Sequence, residues 1–127
     1  MSYTSLEASK YTTVSSPKPT VRAIMGLLDG ATVREVLGKY LRPEELDGLV
    51  DPKELAALIL WLEHVLELKV IDVAVSREFS FVEVDIDDCG WEEWRAIAKE
   101  VKGELVNEGL ERLAGKVALV CPKGLKG

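Results

Sequence analysis

Glutamine is absent from this chain of 127 residues, and Asn107 is its one asparagine. Amides are thermolabile side chains. Their scarcity beside a 30% share of charged residues is a hyperthermophile pattern. Long apolar runs are missing as well. The longest, Leu55–Leu62, has eight residues, far short of the roughly 20 that a transmembrane helix needs. The first residues lack a charged-then-apolar leader pattern, so a cytoplasmic location is expected. Soft metal ligands are few: His64, Cys89 and Cys121, at spacings that match no zinc motif. No glycine-rich phosphate loop, nucleophile elbow or metal pair is present. Asp85, Asp87 and Asp88 could hold Mg²⁺, but a strand leading into a helix cap explains them more simply. Catalysis and cofactors are therefore not expected.

Excess positive charge is also lacking overall. The net charge is −6, which argues against indiscriminate binding to duplex nucleic acid. Its distribution is uneven. Residues 1–19 carry a net +1 and residues 116–127 a net +3, which leaves the body between them at −10. We therefore expect an extended basic arm (1–19), one domain (20–122) and a flexible basic tail (123–127). A single domain of this length with 47% hydrophobic residues can bury a core.

What is present organises around 69–88. Two alternating β-branched runs, Lys69–Val75 and Phe79–Asp88, flank Ser76-Arg77-Glu78, which is a hairpin signal. Alternation puts Val82, Val84 and Ile86 on one face, with Ile71, Val73 and Val75 from the first strand. That aliphatic set is the expected core. Phe79 and Phe81 then share the opposite face with Asp72, Glu83, Asp85 and Asp87. Neighbouring helices or a subunit interface cover the two rings, or they await a ligand. Arg77 sits beside them at the turn.

Helices surround this hairpin. Before them, the arm could hold a short edge strand at Tyr11–Val14. Val21, Ile24, Met25 and Leu28 make one helical face with Gly30 as C-cap, and Thr32 with Glu35 reads as the capping box of a second helix. A further turn is expected at Pro43–Gly48. Asp51-Pro52-Lys53-Glu54 is a strong start for a central buried helix running to about Leu68. Asp88 can cap a helix from about Cys89 to Asn107, with Trp91, Trp94, Ala98, Val101 and Leu105 as its apolar seam. Arg95, Lys99 and Lys102 lie beside that seam. Glu92, Glu93, Glu100 and Glu104 are interleaved in sequence, so the stripe is either an ion-paired solvated face or a path for phosphates. The tryptophans read as core or interface residues, with Trp91 the most exposed. After Gly109 comes a last strand, Lys116–Cys121. The class is α+β: a small, mainly antiparallel sheet packed against about four helices. Cys89 and Cys121 read as ordinary buried thiols, with a disulfide, which a hyperthermophile allows, as the alternative. They follow strands that run the same way if a helix crosses between them, but sit a strand apart if the last strand pairs with the first one.

Phe79-Ser-Phe-Val-Glu-Val-Asp-Ile86, Trp91-Glu-Glu-Trp-Arg95 and Gly109–Cys121, with the hyperthermophile composition, resemble the archaeal ThermoDBP family of single-stranded DNA-binding proteins and their shorter relatives. The likeness spans roughly residues 20–125. It implies a sheet-and-helix domain that holds single-stranded nucleic acid between apolar and basic residues. Longer members dimerise through a C-terminal zipper; no heptads follow here, so self-association through the domain is implied. The expectation is a non-catalytic, sequence-tolerant binder of single-stranded DNA or RNA, acting as a homo-oligomer. Phe79 and Phe81 would stack bases. Arg77, Arg95, Lys99 and Lys102, with Trp91, would line the strand's path, and Lys123 and Lys126 would contribute from the tail. A winged-helix-like transcription factor and an adaptor without a nucleic-acid role are the other readings; short helices before a hairpin favour the former, the acidic body opposes it.

Overall fold

The computed structural model describes residues 18–87 and 89–122. The proposed Tyr11–Val14 strand, the Asp88 cap, and Lys123 and Lys126 lie outside the described residues. The elements in order are α1 (Val21–Met25), α2 (Gly30–Leu37), a 3₁₀ turn (Pro43–Leu46), α3 (Pro52–His64), β1 (Val70–Ser76), β2 (Phe81–Ile86), α4 (Trp91–Asn107), α5 (Glu111–Ala114) and β3 (Val117–Val120).

Helix α3 is the hub. Asp51 caps it by accepting from the Lys53 amide at 2.9 Å, and Pro52 supplies a pre-set φ at the first position. Leu55 through Ile59 are fully buried, and the helix packs on α1, α2 and β1. It stops at His64 rather than near Leu68, because Glu67 takes a left-handed backbone (φ 56°) that turns the chain into β1. The exposed His64 is its last residue.

The two leading helices are shorter than their apolar spacing predicts. Thr20 caps α1 by accepting from the Ala23 amide, and α1 closes at Gly26, so Leu28 belongs to the loop. Gly30 is not the C-cap of α1 but the first residue of α2. Its N-cap is Asp29, whose carboxylate accepts from the Thr32 amide at 2.8 Å. An Asp at this position competes better for the orphan amides than the Thr32–Glu35 pair read from sequence.

The sheet has the order β1-β2-β3, with β1 antiparallel to β2 and β3 parallel to β2. It is therefore mixed, and α4 with α5 forms the crossover between its two parallel strands. The core face of β2 is the expected one: Val82, Val84 and Ile86 are all fully buried. In β1 the alternation breaks. Val70 opposes Ile86, Asp72 opposes Asp85 and Val73 opposes Val84, so Ile71 is an extra residue in a bulge. Val70 and Val73 face the core, while Ile71 is 37% exposed. The expected Ile71, Val73, Val75 face is thus corrected to Val70, Val73 and the half-buried Val75.

Both outer strands have their edges partly covered. The Tyr40 hydroxyl donates to the Val70 carbonyl at 3.4 Å, and the Val73 amide donates to the carboxylate of Asp72 at 2.9 Å. On β3, the Trp94 indole donates to the Leu119 carbonyl at 2.8 Å. Each contact removes a backbone group that another chain's strand could otherwise pair with.

Helix α4 begins at Trp91, two residues later than its spacing predicts. Gly90 is the N-cap, and the Glu93 side chain reaches back to the Gly90 amide at 3.2 Å. Its end carries two linked devices. Gly109 (φ 76°) allows the Leu110 amide to reach the Leu105 carbonyl at 2.7 Å while its own amide bonds Val106, a Schellman closure. The Glu108 carboxylate, meanwhile, accepts from the Val21 and Arg22 amides at 3.1 and 2.7 Å, and Arg22 Nε donates to the Glu108 carbonyl. This ties the first helix to the end of the fourth.

A further correction concerns the cysteines. Because β3 lies beside β2 and runs parallel to it, Cys89 and Cys121 leave adjacent strands at the same end. They form a disulfide with Cα atoms 6.1 Å apart, closing a loop of sequence separation 32 that contains all of α4. Both are buried.

Candidate nucleic-acid interface

The surface of α4 sorts its charges. Trp91, Arg95, Lys99, Lys102 and Val106 follow one another at spacings of four, four, three and four, which makes a single row along the helix. All five are exposed, Trp91 at 57%. Glu93, Glu100 and Glu104 fall on the opposite flank, and the buried seam of Val101 and Leu105 separates the two sides with Trp94. Glu92 alone adjoins the cationic row. Among the described residues, the ion pairs are Arg34–Glu44, Arg42–Glu45 and Arg77–Asp47, so none of Arg95, Lys99 and Lys102 is in one. The interleaving in sequence thus resolves into two separate flanks in space, and the cationic row is solvated but without ion pairs among the described residues.

The row has a stacked aromatic head. The rings of Trp91 and Trp94 lie 5.3 Å apart at 26°. Trp94 is held by its bond to Leu119, so it is a fixed base on which the exposed Trp91 rests. Below the row a groove of about 250 Å³ runs between α4 and β3, lined by Ala98, Leu105, Val117 and Leu119 with Lys102 at its side.

Phe79 and Phe81 form a separate patch. The hairpin turn is four residues, 77–80, so Phe79 belongs to the turn and not to β2 as the alternation suggests. The rings are 6.4 Å apart and tilted by 32°. Phe79 is 69% exposed, while Phe81 is half-buried. Arg77 stands nearby, but its guanidinium is 3.7 Å from the Asp47 carboxylate, so it is not a free charge for a ligand. Trp91 follows the far end of β2, so the two aromatic patches sit at opposite ends of the sheet. The row on α4 covers the distance between them: Lys102 flanks the groove beside Val117, which pairs with Val82 next to Phe81.

The outer sheet face is a poor anion surface. Asp72 and Asp85 are directly opposed across β1 and β2. Burial, then a hydrogen bond and the charge of Glu83, then Asp72, push the Asp85 carboxyl up to about 7. A second raised carboxyl is Glu104, also pushed up to about 7. Its hydrogen bond with Glu108 leads, followed by burial and the charges of Glu108 and Glu100. Both groups keep their protons in the folded chain at pH values where the unfolded chain has lost them. The folded state then binds more protons between about pH 4 and 7, so stability falls as pH rises through that window. The carboxyls of Asp29 and Glu44 are lowered and act only at more acidic pH. We expect the melting temperature to drop as pH rises from about 4 to about 7, and Asp85→Asn to flatten that drop. A melting temperature that rises across the same range counts against this assignment.

Sequence spacing finds Trp91, Arg95, Lys99 and Lys102 but misses that Val106 ends their row. It also misses the anchoring of Trp94, because the partner is a backbone carbonyl 25 residues away. Comparison of the chain with family models, with curated proteins and with solved structures finds no match to any of them.

Proposed function

We propose that the protein is a non-catalytic, sequence-tolerant binder of single-stranded DNA or RNA. The observation that carries this reading is the α4 row: three exposed cations without ion-pair partners among the described residues, headed by an exposed tryptophan stacked on a fixed one. Cations at this spacing can follow a phosphate backbone, and an indole face stacks on any base, which makes the binding tolerant of sequence. The resemblance to the ThermoDBP family points the same way. Phe79 and Phe81 offer a second stacking point at the other end of the sheet, and Lys123 and Lys126 add charge from the tail. The net charge of −6 favours a narrow single-strand path over a broad duplex surface.

A homo-oligomer belongs to the same proposal. Leu27 (84% exposed) and Ile71 leave apolar side chains for a second copy to cover. The lack, among the described residues, of a helix long and apolar enough to cross a membrane accords with a cytoplasmic location.

Titration of tryptophan fluorescence with single-stranded oligonucleotides tests the reading. With three phosphates neutralised, log K should fall against log salt with a slope of about −2. Trp91→Ala should cost about 1–3 kcal/mol for the stacked base. Lys99→Glu with Lys102→Glu should remove most of the salt dependence. Absence of binding even at low salt refutes the proposal, and preference for duplex would favour the winged-helix reading. Light scattering gives the number of subunits.

A further inference from the structure

A second concavity shares no residue with the α4 row. It holds about 340 Å³ and lies where the start of α3 meets the segment after α4. That volume is within the range of small-molecule sites. Its floor is apolar: Val50, Leu110 and Leu113 are buried, and Leu49 is partly so. Its walls carry two guanidiniums, Arg22 and Arg112, and two carboxylates, Asp51 and Glu54.

These four charges do not neutralise one another by contact. No pair of them is among the ion pairs of the described residues. Arg22 is fixed by its Nε bond to the Glu108 carbonyl. Its Nη2 lies against the bare backbone of Gly109, where an added Cβ would stand 3.5 Å away, and Gly109 itself lines the cavity. Asp51 is fixed as the cap of α3. Burial, and next the charge of Asp51, push the Glu54 carboxyl up, while Arg22 and Arg112 pull it down, so Glu54 feels the other three charges across the space.

Opposite charges held apart around a cavity favour a ligand that bridges them. The walls sum to zero, so a dianion such as phosphate gains from the arginines and loses to the carboxylates. A molecule with one anionic and one cationic end gains from both. We infer that this cavity binds a small zwitterion of the aliphatic α-amino acid class, with its carboxylate between Arg22 and Arg112, its ammonium towards Asp51 and Glu54, and its side chain on the Leu110–Leu113 floor. Arginine forks match a carboxylate in two hydrogen bonds, which gives the orientation its specificity.

Titration of the full chain with leucine, followed by amide NMR shifts at Gly48, Glu54, Gly109 and Leu110, tests the inference. Saturable shifts at these positions are expected. Leucinamide lacks the carboxylate and 4-methylpentanoate lacks the ammonium; each should bind at least about tenfold more weakly, since one pair of wall charges stays unmatched. Arg112→Met and Glu54→Gln should weaken leucine to a similar degree, with the rest of the amide spectrum kept as evidence of folding. The inference fails if leucine gives no saturable shifts, if either single-ended analogue binds as well, if inorganic phosphate binds the same residues more tightly, or if both variants bind leucine unchanged.

Discussion

Leu58→Asp is expected to unfold the domain. Leu58 lies in the middle of α3 with no exposure, inside the unbroken buried run Leu55–Ile59. Removing its isobutyl group alone costs about 2–5 kcal/mol through lost transfer energy and the cavity left behind. The incoming carboxylate has no cation beside it, because the core around α3 contains no buried polar or charged residue among those described. An uncompensated charge there adds several kcal/mol, or forces proton uptake at comparable cost. A domain of this size is stable by about 5–15 kcal/mol in total, so the substitution removes most or all of it. Leu58→Met conserves volume and should cost under about 1.5 kcal/mol. Thermal melts followed by circular dichroism, with amide NMR dispersion, distinguish the two. A wild-type melting temperature in Leu58→Asp would show that α3 is not the hub of this fold.

The second large effect concerns Cys89 and Cys121. Replacing both by alanine opens a covalent loop of sequence separation 32. Chain-entropy arguments give about 3–4 kcal/mol for a loop of that length. For a chain of this size that corresponds to a fall in melting temperature on the order of 10–15 °C. The loss falls on one region, because the loop contains α4 and joins the ends of β2 and β3. Hydrogen exchange should rise first in the early turns of α4, where Trp94 holds the edge of β3. The double alanine variant is the cleaner experiment, since both sulfurs are buried and native-state reduction is slow. Thiol titration of the denatured wild-type chain should find no free thiol; two free thiols there, or an unchanged melting temperature in the variant, would rule the bond out.

Much of the fold was legible from local patterns. The Asp51-Pro52 start, the apolar run of α3, the alternation of β2 and the Gly109 break each depend on residues within one or two turns of one another, and each stands in the structure. The candidate site was legible to the same degree. Row spacing on a helix identifies Arg95, Lys99 and Lys102 without knowledge of any neighbour. Several features escaped. The Ile71 bulge depends on which residue of β1 faces Ile86, and the Asp72 side chain satisfies a backbone amide there that a regular strand would leave at the edge. Phe79 falls outside β2 because the turn needs four residues, with Ser80 at φ 57°. Helix starts moved by three residues in α2, where Asp29 displaced Thr32 as the cap, and by two in α4, which Gly90 caps.

The sequence by itself therefore determined that α4 carries a cationic row beside an apolar seam, because helical periodicity needs nothing beyond the chain's own spacing. Tertiary structure decided what that helix is fastened to. Whether β3 pairs with β2 or with β1 is a choice between contacts more than 30 residues apart in the chain, for which no local pattern exists. The choice of β2, in parallel, made neighbours of Cys89 and Cys121, placed Trp94 over the Leu119 carbonyl and left Trp91 stacked and exposed at the head of the row. At the hairpin tip Arg77 is paired with Asp47, whereas on the flank of α4 the cations have no ion-pair partner among the described residues.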